Sequence, residues 1–252
     1  MTSVDSSQTY DRIGTSYRQT RREDPRLAQR IVEVLGHSES VLNVGAGTGS
    51  YEPRDRAVVA VEPAITMIRQ RPFGAAPTVR AIAEALPFRD NAFVAGLAIL
   101  TIHHWQDWKE GLKELTRVVS ERVVMLTWDP ESEGFWLVQD YFPEFIEADR
   151  KRLPTMAALR PFFGQLEILP VPIPHDCCDG FLGAYWRRPS EYLREEVRGG
   201  ISSFANLSDS TALKRLADDL QSGRWQQLYG EVLAKEELDI GYRLLLGRPE
   251  TS

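Results

Sequence analysis

The sequence predicts an α/β protein, with a mostly parallel β-sheet covered by helices on both faces. The first observation is a pair of short apolar runs rich in β-branched residues, at 41–44 and 58–61. Such runs are typical of strands buried in a parallel sheet. The second observation is that apolar runs at 97–102 and 123–127 flank an amphipathic helical segment at 111–119. This alternation of strand and helix is typical of the α/β class.

A glycine-rich turn follows the first predicted strand and is the most informative functional feature of the chain. Gly45, Gly47 and Gly49 occupy alternate positions directly after residues 41–44. Glycine turns sharply at little steric cost and leaves no Cβ between the backbone and a ligand. We therefore expect backbone N–H groups of this turn to bind an adenosyl group and its amino-acid tail.

A carboxylate at the end of the second predicted strand also indicates a nucleotide-type cofactor. Glu62 directly follows residues 58–61. In dinucleotide-binding folds, a carboxylate at this place accepts hydrogen bonds from ribose hydroxyls. The dinucleotide fingerprint itself is G-x-G-x-x-G/A, whereas here the third glycine comes one residue early and Ser50 takes the last position. A glycine-rich turn without a ligand is the alternative for the triplet taken alone.

The G-x-G-x-G spacing resembles motif I of the class I S-adenosylmethionine (SAM) methyltransferases, and later segments extend the resemblance. Residues 83–93 resemble the segment before the fourth strand in the type 11 branch of that superfamily. His103-His104-Trp105 resembles the motif after this strand, and residues 111–119 resemble the helix before strand five. The resemblance covers roughly residues 40–130. It implies a Rossmann-like, mostly parallel seven-stranded sheet whose last strand, near 240–246, runs antiparallel.

Three departures from the family pattern affect what we expect of the site. Asn43 stands where motif I usually has an acid, so the carboxylate contact to the cofactor's amino group is lost or becomes an amide contact. Ile82 replaces the Asp that often accepts from adenine. Only eight residues separate Gly49 from Val58, whereas a parallel crossover normally needs about a dozen. We therefore expect the first helix to shrink to about a turn or to give way to a loop at 51–56.

The resemblance implies SAM as the cofactor and S-adenosylhomocysteine as its product. Cofactor contacts are expected from the glycine turn, from the ends of neighbouring strands and from the N-terminal segment. The expected residues are Asn43, Gly45, Ala46, Gly47, Gly49, Glu62, Pro63, Met67, Ala83, Glu84, Thr101, Tyr17 and Arg21. For the N-terminal tyrosines, packing against the core is the alternative interpretation.

Aromatic and histidine residues supply the candidates for acceptor binding and catalysis. The candidates for acceptor binding are Tyr10, His104, Trp128, Trp136, Tyr141 and Tyr185. Aromatic residues at helical spacing are also common in cores, which is the alternative for this set. His103 is the first candidate for a general base, because it follows the fourth strand and a histidine pKa suits proton removal near neutral pH. His175, beside Asp176, is the second. A loop-anchoring role is the alternative for the pair His103 and His104.

We expect a single methyltransferase domain that spans residues 1–252. Residues 1–36 would form an N-terminal helical lid segment. Residues 175–236 would form a substrate-covering helical insertion before the last strand, because a connection this long is usually functional or carries structure of its own.

Composition narrows the classes of partner. The net charge of −6 disfavours a nucleic-acid substrate, since proteins that bind nucleic acids usually present a basic face to phosphate. No apolar stretch approaches the roughly 18–20 residues of a membrane span. The cysteines are the adjacent Cys177 and Cys178, which indicate neither a disulfide nor a zinc site. We therefore expect a cytoplasmic protein without a metal, membrane or nucleic-acid partner.

Together these features predict SAM-dependent methyl transfer, by in-line displacement, to a small-molecule acceptor such as a metabolite or a natural-product intermediate. Two other classes stay open: a methyltransferase acting on RNA or protein, and a protein without methyltransferase activity, either a SAM-binding regulator or a dehydrogenase. The sequence does not distinguish O-, N- and C-methylation and does not indicate the oligomeric state.

Overall fold

Nine strands in two sheets organise the computed structural model of the protein, which describes residues 21–207 and 210–250. The strands are β1 Ser40–Val44, β2 Ala57–Val61, β3 Thr78–Val79, β4 Phe93–Ile99, β5 Val119–Trp128, β6 Gln165–Pro170, β7 Ile173–Pro174, β8 Glu237–Leu238 and β9 Tyr242–Arg248. Seven of them form the main sheet in the order β3-β2-β1-β4-β5-β9-β6, and β7 pairs with β8 in a second sheet.

The main sheet is parallel except around β9. β1 pairs in parallel with β2 and β4, β2 with β3, and β4 with β5. β9 lies between β5 and β6 and runs antiparallel to both. The predicted Rossmann-like, mostly parallel sheet of seven strands is therefore confirmed, including its antiparallel last strand.

The central strands are buried on both faces, which explains their continuous apolar sequences. Successive residues of a strand point to opposite faces of the sheet. Val41 and Leu42 of β1 both have no exposed surface, and the same holds for Val123 and Val124 of β5. Both faces are therefore covered by the rest of the chain, as expected for strands in a parallel sheet.

Eight α-helices lie among the described residues: α1 Pro25–Leu35, α2 Ile65–Arg69, α3 Trp108–Val118, α4 Pro143–Arg150, α5 Met156–Leu159, α6 Glu195–Arg198, α7 Thr211–Ser222 and α8 Arg224–Tyr229. The boundaries of α1 follow from its sequence. Asp24 caps the helix by accepting from the N–H of Arg26, and Pro25 occupies its first turn. Gly36 follows the last helical residue with a φ of 56°, a conformation that glycine adopts without steric cost.

The connection between β1 and β2 contains no helix, as the short spacing predicts. Residues 45–56 form turns and bends instead. Arg56 anchors the end of this connection, because its Nη1 donates to the carbonyl of Gly36 at 2.8 Å. The first parallel crossover is therefore made by a loop that packs against the end of α1.

Three strand boundaries differ from the sequence-based expectation, and β5, for one, begins at Val119 rather than at 123. β4 begins at Phe93 and ends at Ile99 rather than covering 97–102. Leu100 has a φ of 51° and residues Ile102–His104 form a 3₁₀ turn. Bulky residues seldom adopt positive φ, so the periodicity of apolar residues did not show where the strand ends. β9 begins two residues later than expected, at Tyr242.

Residues 175–236 lie between β7 and β8, and they contain α6, α7 and α8. Pairing of Ile173 with Leu238 closes this segment at its base. Edge-to-face contacts join its Trp225 and Tyr192 to Trp136, which follows β5, with ring centroids 5.2 and 5.9 Å apart. The segment is therefore packed onto the α/β core through aromatic side chains. Within the described parts of the chain, no helix has the length and apolar character needed to cross a membrane.

Candidate active site

A cavity of about 440 Å³ opens where β1, β2 and β4 end. Its volume lies within the roughly 300–1,000 Å³ typical of small-molecule sites. Ligands of open α/β sheets bind at this end of the strands. Its wall is drawn from the glycine turn, from residues 61–67, from residues 80–84 and from residues 99–106. The motifs that the sequence singled out therefore converge on one cavity.

The glycine turn brings backbone close to the cavity and to β4. Gly45 has a φ of 70°, and a Cβ at this position would overlap the hydroxyl of Thr101. Gly47 has a φ of 52°, and a Cβ there would have no atom within 4 Å. The backbone at Gly47 therefore faces open space in the cavity, and the backbone at Gly45 packs against the residues after β4.

Glu62 joins the turn after β1 to the turn after β2. One carboxylate oxygen accepts from the N–H of Gly47 at 2.8 Å, and the other accepts from the N–H of Ala64 at 2.9 Å. The residue is only 6% exposed, and burial raises the pKa of its carboxyl group. Each carboxylate oxygen has two lone pairs. Glu62 can therefore accept further hydrogen bonds from a ligand in the cavity that it lines.

Residues 80–84 and 104–106 supply a mixed part of the cavity wall. Ile82 lines it and is 43% exposed. Glu84 accepts from the N–H of Asp107 at 3.0 Å, just before α3. Trp105 lies close against α3, because a Cβ at Gly111 would come within 2.5 Å of its ring. Ile82 and Trp105 therefore add apolar surface to this part of the wall.

Two histidines, whose rings contact each other at a tilt of 48°, lie at the end of the sheet in the 3₁₀ turn after β4. The ring centroids of His103 and His104 are 3.8 Å apart. His104 lines the cavity, whereas His103 lies outside its wall. Burial, followed by the positive charge of Arg152, lowers the pKa of His103 to about 4. Burial also places the pKa of His104 well below its usual range, so both rings are neutral at pH 7.

A buried polar network connects the cavity to the segment after β7. Nε of Arg21, which lines the cavity, donates to Oδ1 of Asp179 at 2.6 Å. The hydroxyl of Tyr51 donates to Oδ2 of the same carboxylate at 2.8 Å and accepts from the N–H of Asp24 at 3.2 Å. Asp179 is only 1% exposed. The network therefore fixes Arg21 at the cavity wall.

Most of the cofactor contacts expected from the sequence lie on this wall: Arg21, Asn43, Gly45, Ala46, Gly47, Glu62, Pro63, Met67, Ala83, Glu84 and Thr101. Gly49 is expected there too, but it lies behind the turn, where a Cβ would contact Glu52 and Arg71. Tyr10 and Tyr17 lie outside the described residues. The sequence reasoning missed Tyr51, although it directly follows the glycine motif, and it missed Trp105 as a wall residue.

His175 and four aromatic candidates lie elsewhere in the fold. His175 is at the pairing of β7 with β8, where its Nε2 is 3.2 Å from a carboxylate oxygen of Glu236. The polar atoms of three aromatic residues bind within the protein. Trp128 donates to the carbonyl of Ile240, Trp136 to that of Trp186, and Tyr141 to Asp219. Tyr185 packs edge-to-face on Tyr192. None of the five lines this cavity, and the contacts of the aromatic residues are those of core packing.

Comparisons with known proteins indicate a methyltransferase. A family model described as a methyltransferase domain matches residues 42–126. A solved structure from Anabaena variabilis ATCC 29413, a candidate methyltransferase from an antibiotic biosynthesis pathway, is 34% identical. The similarity covers 91% of this chain and 99% of that chain, with a TM-score of 0.83.

Other similarities are more distant or cover less of one of the two chains. Malonyl-[acyl-carrier protein] O-methyltransferase of Halorhodospira halophila (strain DSM 244 / SL1) is 31% identical over 152 residues, which are 52% of this chain and 49% of that protein. The chain spans about half the length, or less, of the curated relatives that it matches. A complex of Haemonchus contortus phosphoethanolamine N-methyltransferase 2 with SAM is 14% identical, with a TM-score of 0.60. That similarity covers 99% of this chain and 61% of that chain.

Proposed function

Since the chain belongs to the class I SAM-dependent methyltransferases, we propose that its cavity holds SAM beside a small-molecule acceptor and that the methyl group passes to this acceptor. SAM is the cofactor of the family. The observation that carries the proposal is the convergence of the glycine turn and Glu62 on one cavity at the ends of the strands. The proposal concerns the identity of the acceptor and the residues that act on it.

The residues of the cavity fit this cofactor. Gly47 leaves its backbone open to a ligand, and Glu62 keeps lone pairs for the ribose hydroxyls. Ile82 and Trp105 offer apolar surface to the adenine. When bound, SAM supplies an electrophilic methyl group on its sulfonium. The protein has to hold the acceptor in line with this methyl group and to exclude water.

We assign the general-base role to His104 rather than to His103. His104 lines the cavity, and its neutral ring has one nitrogen able to accept a proton from the acceptor. His103 contacts the His104 ring from outside the cavity wall and would keep that ring in place. His175 receives no catalytic role in this proposal, because it lies at the pairing of β7 with β8.

The small-molecule acceptor is supported by charge and by the surroundings of the cavity. The net charge of −6 gives little attraction for RNA. Residues 1–20 of the predicted lid lie outside the described residues, and α1 packs against β5. We propose that the segment at Arg21 and residues 175–236 cover the acceptor, since the contact between Arg21 and Asp179 joins these two segments beside the cavity. The Anabaena relative is described as part of an antibiotic biosynthesis pathway, which supports a natural-product intermediate. The free thiols of Cys177 and Cys178 agree with a reducing, cytoplasmic environment.

Transfer of a labelled methyl group tests this proposal. Purified protein would be incubated with methyl-labelled SAM and, separately, with a panel of small aromatic and acidic metabolites, with total tRNA and with a cell-protein extract. Label in a small molecule is the expected result. Label confined to RNA or to protein would contradict the small-molecule acceptor and leave the methyltransferase family intact.

A further inference from the structure

Asn43, the last polar residue of β1, is hydrogen-bonded to a carboxylate. Asn43 lines the cavity and is only 2% exposed. Its Nδ2 donates to Oε1 of Glu52 at 3.1 Å. Glu52 belongs to the loop that replaces the first crossover helix. Asn43, which stands where the family usually has an acid, therefore has the NH₂ end of its amide bound by the carboxylate of Glu52.

Arg71 fixes this carboxylate in turn. Its Nη2 lies 2.7 Å from both carboxylate oxygens of Glu52. The side chains of Arg71 and Glu52 are only 5% and 8% exposed. Nη1 of Arg71 also donates to the carbonyl of Gly47 at 3.3 Å. The pair is therefore largely buried, and Arg71 also supports the glycine turn.

This arrangement decides which end of the Asn43 amide faces the cavity. An ionised carboxylate only accepts hydrogen bonds, so the NH₂ end of the amide must face Glu52. The carbonyl oxygen then faces the opposite way. Among the described residues, no protein group donates to this oxygen, and it is not one of the unpartnered side-chain atoms sealed from solvent. Since Asn43 lines the cavity, its carbonyl oxygen opens into it.

We propose that Glu52, held by Arg71, is a positioning residue that fixes the amide of Asn43 with its carbonyl oxygen toward the cavity, where it accepts from the ammonium group of SAM. The ammonium is a donor only, so an amide presenting its NH₂ end would repel it. This inference rests on the family's cofactor and is independent of the acceptor. It explains how the chain retains a cofactor contact without the family's acid.

Substitutions of Asn43 and Glu52 should have different effects on stability and on ligand binding. Asn43→Asp would place a second carboxylate about 3 Å from Glu52, and like charges at this distance oppose each other. That repulsion destabilises the ligand-free protein, so Asn43→Asp should lower its melting temperature, and the double variant Asn43→Asp/Glu52→Gln, which removes the repulsion, should restore it. Asn43→Leu removes the carbonyl oxygen and should weaken the binding of S-adenosylhomocysteine by about tenfold. Glu52→Gln should also weaken this binding, because a glutamine amide can present either end to Asn43.

Calorimetric titration of each variant with S-adenosylhomocysteine and with 5′-methylthioadenosine provides the test. Methylthioadenosine lacks the amino-acid end, so its affinity should be the same in all variants. Glu121→Gln, which changes an exposed carboxylate of β5, is the matched control. Thermal melting of the ligand-free variants reports their folding. If Glu52→Gln fails to fold, Asn43→Leu still tests the contact, because it leaves Glu52 and Arg71 in place.

Two results would overturn the proposal. The first is unchanged binding of S-adenosylhomocysteine by both Asn43→Leu and Glu52→Gln, which would mean that the amide oxygen and its orientation do not contribute to the affinity. The second is an equal loss of affinity for methylthioadenosine, which would mean that the variants disturb the whole cavity. A failure to bind either ligand in the parent protein would instead count against the cofactor itself.

Discussion

At the scale of single residues, the rings of the two histidines after β4 contact each other but have different surroundings. His104 lines the cavity and His103 backs it. The sequence motif names both residues but carries no information on which ring faces the ligand. That choice depends on the 3₁₀ turn Ile102–His104, which follows the positive φ of Leu100.

Separate substitutions of His104 and His175 test the proposed general base. His104→Asn should lower kcat by about 10²-fold or more, the scale of general-base catalysis, while the Kd for S-adenosylhomocysteine stays unchanged. His175→Asn is the matched control and should leave kcat unchanged, because His175 contacts Glu236 away from the cavity. Steady-state kinetics with an identified acceptor measures both. Equal kcat values for the parent protein and His104→Asn would remove His104 as the base.

The low pKa of His103 predicts a pH dependence of stability. In the unfolded chain a histidine takes up a proton near pH 6.5, whereas His103 in the folded state does so only near pH 4. Between these values the unfolded state binds more protons, so the free energy of unfolding falls as the pH falls. We expect His103 to contribute about 2 kcal/mol to this loss between pH 7.5 and 4.5. Urea unfolding of His103→Asn should show a correspondingly shallower pH dependence, and an identical one would contradict the burial of this ring.

At the scale of elements, the turn between β1 and β2 takes the place of a helix. The sequence predicts this feature from residue count alone, since too few residues lie between Gly49 and Val58. The apolar runs likewise predict the strands on either side. The sequence does not reveal how a loop without a helix is held in place. That depends on Arg71 and Glu52, which meet only when the loop after α2 folds back against the turn.

Two glycines with positive φ test what the turn does. Gly47 and Gly223 both have positive φ, and at both positions a Cβ would have no atom within 4 Å. Each change to alanine should lower the free energy of unfolding by about 1 kcal/mol, because alanine resists this conformation. Only Gly47→Ala should also weaken the binding of S-adenosylhomocysteine, because its Cβ enters the cavity. Comparable affinities for the two variants would contradict the placement of the ligand at this turn.

At the scale of the whole molecule, a buried carboxylate joins three parts of the chain. Asp179 binds Arg21 from the N-terminal segment and Tyr51 from the glycine turn. Tyr51 and Asp179 are 128 residues apart, so no local pattern could pair them. The same holds for the aromatic contacts between Trp136 and Trp225. The sequence predicts that aromatic residues cluster in this region, and only the tertiary structure shows that they pack with one another.

Removing the charge of Asp179 should therefore destabilise the whole fold. Asp179→Asn removes the buried carboxylate that both Arg21 and Tyr51 contact and should lower the free energy of unfolding by about 3 kcal/mol. Asp176→Asn is the control, because Asp176 pairs with Arg26 while 58% of its side chain is exposed. That change should have an effect below about 1 kcal/mol. Equal effects of the two substitutions in urea unfolding would show that the network around Asp179 is not a stabilising junction.

The central claim is that this cavity binds the cofactor of a methyltransferase, and a comparison of two ligands tests it most directly. The parent protein would be titrated in a calorimeter with S-adenosylhomocysteine and with NADH, each also against Glu62→Ala. We predict saturable binding of S-adenosylhomocysteine to the parent protein, a marked loss of that binding in Glu62→Ala, and no binding of NADH. Binding of NADH without binding of S-adenosylhomocysteine would contradict the assignment of this cavity to a methyltransferase.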